Sequence, residues 1–394
     1  SPHFRKIFTA PKTLSMHACE SKNFESLARR LATEKPAPRT IVFVEQPERA
    51  LEFAVRLRKE GHKTALLTGT LRGLERDRLT GSADGGGEEA AVFRRFQSKE
   101  SGEEPVWLVA TSAAEVGVDL SCERMITGLA EADRLLQRFG RLNRHGEASS
   151  AEVHVAAVEP VKSERLRAAA DYLRLLDGDA SCRAVWLRRP GAEAKTELPL
   201  MARLEAWRVE NWAQTTYRDS AMAPVEPWLH GKREDEEPET ELAWRDDVGL
   251  LSDAEVDPED VTEALEACPV RAHERLREPA GRVHRKFQEL AGAMRAAGRD
   301  PDGVRLILAA PDLTVELATL AEIARGEAER LGGKLALLPS DLGWLRFGMF
   351  TPEISPDGGS LDVADWWEGE ERGRRLAYEN GEWRRLGGRG AGEA

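Results

Sequence analysis

Gln137, Arg141 and Arg144 stand four and three residues apart in the segment Leu136–Arg144 (LQRFGRLNR). On a helix that spacing stacks the three side chains on one face. Two permanently charged guanidiniums beside an amide make a clamp for an anion, and Gly140 lets something approach the backbone closely. Arginines so placed suit a γ-phosphoryl group in transfer, whose equatorial oxygens need positive charge in the transition state. The bland alternative is a solvated amphipathic helix whose arginines meet Glu131 and Asp133.

Two further stretches carry polar chemistry. Ala110–Ser121 (ATSAAEVGVDLS) continues an apolar strand, Val106–Ala110, into a turn of small residues and a Gly117-x-Asp119 corner. Thr111 and Ser112 end that strand, where hydroxyls and free backbone N–H groups can hold a phosphate oxygen of a nucleic acid. Asp119 reads either as a ligand-facing acid or as a turn cap after Val118. In Leu66–Arg78 (LLTGTLRGLERDR), Thr70 and Arg72 are candidates for backbone contact, while Arg76 can instead pair with Glu75 or Asp77.

The elements that must position these residues alternate strand and helix, the pattern of a parallel α/β sheet. Strands are expected near Lys12–Ala18, at Thr40–Val44, Thr64–Leu67, Val106–Ala110, Arg124–Leu129 and Glu152–Val158. Helices are expected at Lys22–Thr33, from Pro47 to Gly61, and at Glu89–Phe96. Beyond Val161 the pattern changes to a tryptophan-rich, mainly helical accessory region, a helical run over Pro258–Arg299 with interruptions expected at Pro269 and Pro279, and a small α/β tail. In that tail, strands at Val304–Ala309 and Lys334–Leu338 flank a helix at Leu317–Leu331. The expected domains are residues 1–160, 161–250 and 251–394.

Composition narrows the class. The net charge of -12 argues against a protein that coats nucleic acid through bulk electrostatics. The charge is uneven: 24 Lys/Arg stand against 22 Asp/Glu through Val158, and 33 against 47 afterwards. A nucleic-acid site should therefore be local and lie in the first part. No apolar run is long enough to span a bilayer, and four scattered cysteines without a CxxC pair suit a reducing cytoplasm.

ATSAAEVGVDLS and LLQRFGRLNRHG resemble motifs V and VI of superfamily 2 helicases, in that order. Their wording, with LLTGTLRGLERDR, is similar to the CRISPR-associated helicase–nuclease of type I systems. Val225–Gly231 (VEPWLHG) and Glu241–Asp247 (ELAWRDD) look like the accessory region of its I-G-like branch. The resemblance runs over residues 40–158, touches 200–250 and fades beyond 250. Leu129–Asp133 (LAEAD) departs from the polar pattern the family often carries there.

The resemblance implies a RecA-like second motor domain in which Arg141 contacts the γ-phosphate of ATP and Arg144 is the arginine finger. Gln137 would bond between motifs or to phosphate, Asp119 would accept from the ribose, and Gly117 would turn the chain beside it. It also implies Mg2+ held by a first RecA-like domain, an HD nuclease domain elsewhere, and recruitment to an RNA-guided surveillance complex. No GxxxxGK[ST], DExH or DEAD run and no His-Asp dipeptide occurs in the chain, so this half alone should not hydrolyse ATP or cut DNA. Two alternatives stay open: a superfamily 2 helicase fragment outside CRISPR, and an ATPase-silent docking adaptor.

Overall fold

The first 158 residues form six strands: β1 (Thr13–Cys19), β2 (Arg39–Phe43), β3 (Thr64–Leu67), β4 (Val106–Ala110), β5 (Arg124–Gly128) and β6 (Glu152–Val158). They make one sheet in the order β1-β6-β5-β2-β4-β3, with every pair parallel. Every residue of β2, β3 and β4 is buried, as strands covered on both faces should be. Helices accompany them, among them α1 (Pro2–Phe8), α2 (Phe24–Thr33), α3 (Pro47–Lys59), α4 (Gly73–Thr80), α5 (Gly87–Gln97), α6 (Ala132–Phe139) and α7 (Glu164–Leu175). The computed structural model describes residues 2–100, 102–198, 201, 203–213, 228, 237–252, 256–355, 359–363, 376–379 and 382–385.

This first unit is an α/β fold, a six-stranded parallel sheet with helices against it. Its core does not stop at residue 160. Ala169, Tyr172, Leu173, Ala184 and Ala194 pack into the same apolar cluster as Ile41 and Leu108. The chain after α7 also covers the open edge of β1, where Leu14 N–H donates to the Gly178 carbonyl and Ala180 N–H to that of Lys12, each at 2.8 Å.

The remainder is less helical than its sequence suggests. Five strands, β7 (Glu239–Arg245), β8 (Leu276–Pro279), β9 (Arg305–Ala309), β10 (Val315–Thr319) and β11 (Leu335–Pro339), form a mixed sheet in the order β10-β9-β11-β7-β8. Side chains alternate between two cores: Leu306 and Leu308 face one with Phe287 and Leu290, while Ile307 and Ala309 face the other with Val261 and Leu265. The expected helical run over Pro258–Arg299 is two helices, Pro258–Ala267 and Ala280–Ala296, with β8 between them. The expected helix at Leu317–Leu331 is β10 followed by a short helix, Leu320–Arg325, started by a capping box between Thr319 and Glu322.

Glu241–Asp247 (ELAWRDD) lies in and just after β7, whereas Val225–Gly231 lies outside the described residues apart from Trp228. Among the described residues, no helix is long and apolar enough to cross a membrane.

The second unit docks on the loop between β3 and α4. Backbone N–H groups of Arg72, Gly73 and Leu74 donate to the carbonyls of Gly348, Arg275 and His273 at 2.8–2.9 Å. A Cβ on Gly73 would stand 2.2 Å from the Ala272 carbonyl oxygen, so only glycine permits this approach. Met349 enters the first unit's core, and the Arg58 guanidinium lies 3.9 Å from the Phe347 ring centroid.

Candidate nucleotide and nucleic-acid site

The segment Thr111–Ser121 carries the chain from the carboxyl end of β4 toward the amino end of β5, and α6 then returns alongside. Gly117 sits at φ +81 with open space where a Cβ would be, so its requirement is the left-handed turn itself. This turn delivers Asp119, which is exposed, to the loop beyond α6.

α6 ends at Phe139, so Arg141 and Arg144 are not on a helix face with Gln137. The chain leaves through two tight turns, Arg141 N–H to the Arg138 carbonyl at 2.8 Å and Leu142 N–H to that of Phe139 at 3.2 Å. It then bridges to the strand entry: Cys122 N–H donates to the Arg141 carbonyl at 3.0 Å and Asn143 N–H to the Cys122 carbonyl at 2.8 Å. A Cβ on Gly140 would stand 3.1 Å from the Gln137 carbonyl oxygen, so a larger residue there would press on the last turn of α6.

The loop nonetheless brings Arg141, Arg144 and Asp119 together. Arg144 Nε meets Asp119 Oδ1 at 2.5 Å, with side chains 39% and 64% exposed. Arg141 is buried and braces the other segment, donating from Nη2 to the Glu115 carbonyl at 2.7 Å and from Nε to that of Ala114 at 3.3 Å. Burial first, then the like charge of Arg144, lowers its pKa against the pull of Asp119. A guanidinium nevertheless keeps its charge in proteins. Gln137 is exposed on α6.

Three positioning residues escaped the sequence reading. Arg138 is buried; its Nε and Nη2 donate to Glu115 Oε1 at 2.8 and 2.6 Å, and its Nη1 donates to Thr127 Oγ1 at 2.5 Å. It therefore ties α6 to β5 and to the segment that carries Asp119. Lys12, also buried, donates to the Phe139 carbonyl at 2.9 Å and caps the last turn of α6, a favourable place for a cation. Asn143 holds φ +43 and closes a turn with Ala148, donating from Nδ2 at 2.9 Å and accepting at Oδ1 at 3.1 Å. Asparagine tolerates that backbone region better than most residues.

The nucleic-acid candidates fare unevenly. Ser112 is exposed, but Thr111 is buried and its N–H already donates to the Leu67 carbonyl at 3.1 Å. Thr70 is buried against Thr68, hydroxyl to hydroxyl at 3.1 Å. Arg72 is corrected outright as a free contact. It is buried, forks onto Glu75 at 2.5 and 2.6 Å, and donates to the Leu361 carbonyl, all beneath the docked second unit. Arg76, by contrast, meets Asp77 at 3.5 Å on the surface.

With the geometry in view, residues 38–147 match the family model for the C-terminal region of the CRISPR-associated nuclease/helicase Cas3. That stretch is similar to the C-terminal region of the Cas3 nuclease/helicase family. It contains every candidate from Thr70 to Arg144. No curated protein gives a significant sequence match.

Among solved structures, T. fusca Cas3 is 14% identical at TM-score 0.44, over 89% of this chain and 42% of its own. A Cas3–ATP structure from T. fusca is 20% identical at TM-score 0.33, over 43% and 22%. The C-terminal domain of the DEAD-box protein Dbp5 is 23% identical at TM-score 0.31, over 41% and 83%. The chain thus spans less than half the length of the T. fusca Cas3 chains it resembles.

Proposed function

We propose that the chain is the second motor domain and C-terminal unit of an ATP-driven single-stranded DNA translocase. It would act in the cytoplasm with a type I CRISPR surveillance complex. The motor domain runs past residue 160 to the end of the first core, and the second unit begins with β7. A first RecA-like domain outside this chain supplies the P-loop and the carboxylates for Mg2+, and an HD nuclease domain lies elsewhere.

The observation that carries this reading is the exposed Arg144–Asp119 pair beside the braced Arg141. An ion pair this open stabilises by only about 0–1 kcal/mol. A nucleotide can therefore take it apart cheaply, drawing Arg144 to the γ-phosphate and leaving Asp119 to accept from a ribose hydroxyl. Arg141 holds the Asp119 segment at its Ala114 and Glu115 carbonyls and adds a second positive charge near the same anion. In transfer, Arg144 drawn to the γ-phosphate stabilises charge that grows on the equatorial oxygens.

The test is complementation. The chain alone should show no DNA-stimulated ATPase, since its sequence holds no P-loop lysine, and activity should appear once a P-loop-bearing first domain is joined to it. Turnover by the chain alone, or none after joining, overturns the proposal; the second result would favour an ATPase-silent docking role.

A further inference from the structure

Lys12 is 4% exposed, and no carboxylate pairs with it among the described residues. Its Nζ has two partners: the Phe139 carbonyl at 2.9 Å and the Cys182 sulfur at 3.9 Å. A buried lysine is ordinarily matched by a carboxylate, because a lone ammonium away from water is costly. Burial above all lowers the Lys12 pKa, with Arg144 adding to it and the thiols of Cys182 and Cys122 opposing. More of this side chain is therefore free amine, a nucleophile, than in an exposed lysine.

The fold brings this amine and this sulfur together across 170 residues of sequence. Ala180 N–H donates to the Lys12 carbonyl at 2.8 Å, which holds the two backbones side by side at the start of β1. Ser181 then accepts from Ala184 N–H at 3.2 Å and starts the short helix Cys182–Leu187, whose first residue meets Lys12. Cys182 is half-buried and open to a small solute. Cys122, the other thiol near Lys12, is fully buried, and that burial pushes its pKa up and leaves it inert.

We propose that Lys12 and Cys182 form a redox-modification site, at which a peroxide drives a reversible sulfur–nitrogen cross-link between the two side chains. Hydrogen peroxide oxidises the Cys182 thiol to a sulfenic acid, and one water leaves. The Lys12 nitrogen lone pair then attacks the sulfur. The S–N bond forms, the S–O bond breaks, and the departing hydroxide takes a proton from nitrogen to leave as a second water. Sulfur is oxidised, the peroxide oxygens are reduced, and the protein loses two hydrogens in all. Two equivalents of a small thiol reverse the link, leaving as a disulfide and returning the amine and the Cys182 thiol.

The link acts on the end of α6. The Phe139 carbonyl that Lys12 caps also accepts from Leu142 N–H at 3.2 Å, in the turn that carries Arg141 and leads to Arg144. A nitrogen drawn onto sulfur leaves that carbonyl, and the loop loses its brace. The effect reaches the proposed nucleotide site, and that step alone rests on the motor reading.

The test treats the full 394-residue chain with hydrogen peroxide, blocks the remaining thiols and maps the peptides by mass spectrometry. The expected product is a linked pair of peptides containing Lys12 and Cys182, lighter by two hydrogens than their sum and released by dithiothreitol. Hydrogen exchange at the Leu142 and Asn143 amides should accelerate roughly tenfold on linkage, the weight of one buried hydrogen bond. Cys182→Ser should show neither the link nor the acceleration. Lys12→Arg keeps a cation that can donate to Phe139 but removes the nucleophile, so its Cys182 should be trapped by dimedone as an unlinked sulfenic acid.

A Cys182 that resists peroxide, stops at sulfenic acid in the wild-type chain, or pairs with Cys122 as a disulfide overturns the site. A link formed without faster exchange overturns its effect on the loop. The complementation ATPase judges the motor reading separately from all of these.

Discussion

Arg138→Ala should destabilise the first unit more than any change at Arg141 or Arg144. The Arg138 and Glu115 side chains are 3% and 6% exposed, so removing the guanidinium strands a carboxylate away from water. Breaking such a pair costs about 3–5 kcal/mol. Arg134 stays 3.2 Å from Glu115, but its side chain is 31% exposed and replaces the lost partner only in part. The bond to Thr127 and the stacking over Phe43, 4.8 Å from its centroid, are lost as well. We expect a loss of about 3 kcal/mol, read as a shift of the urea unfolding midpoint of the first unit. Arg138→Met combined with Glu115→Leu removes both charges together and should recover most of that loss, because it is the unpaired charge that costs. A single variant within 1 kcal/mol of wild type, or a double variant worse than the single, would refute the reasoning.

Three further outcomes follow from particular contacts. His17 Nε2 and His154 Nδ1 stand 3.1 Å apart on neighbouring strands, with Glu152, Arg124 and Arg30 around them. Burial above all lowers both pKa values, helped by Arg30 at His17 and by His17 and Arg124 at His154, while Glu152 opposes at His154. The folded state thus prefers neutral rings: their contribution is intact above the ordinary value of 6.5 and drains away as pH falls below it. Thermal melts should show this drop between pH 7.5 and 5.5, and it should flatten in His17→Asn, His154→Gln. Gly73→Val forces a side chain into the Ala272 carbonyl and should separate the two units, seen as a larger radius of gyration by small-angle scattering; an unchanged radius counts against the docking account. Asn143→Ala removes both bonds to Ala148 and strains a left-handed backbone, so chemical unfolding should show a loss of about 1–3 kcal/mol.

The sequence was most legible where burial is two-sided. Thr64–Leu67 and Val106–Ala110 are strands at the expected bounds, because a parallel strand under helices reads as a nearly continuous apolar run. β8 and β10 were hidden: LREP and VELAT are too short and too charged to stand out, and β8 pairs with β7, far back along the chain. At the site, spacing alone extended α6 through Arg144, whereas the pairing of Leu142 with Cys122 ends it at Phe139. The cations were visible but their surroundings were not. Arg72 and Arg138 are ordinary arginines in sequence, and only the docked unit and Glu115 bury them.

The central claim is that Arg144 leaves Asp119 and completes a nucleotide site. The measurement that tests it most directly is steady-state, DNA-stimulated ATPase of the chain joined to a P-loop-bearing first domain, compared between wild type and Arg144→Ala. An arginine finger is worth on the order of 10³–10⁵ in rate, against almost nothing for a solvated surface arginine. The account expects turnover to collapse by at least about a thousandfold, with the urea midpoint and nucleotide-free DNA binding nearly unchanged. Arg144→Lys should fare no better, because an ammonium lacks the planar fork. Turnover of Arg144→Ala within a few-fold of wild type would contradict the account and leave Arg144 as one half of a surface ion pair.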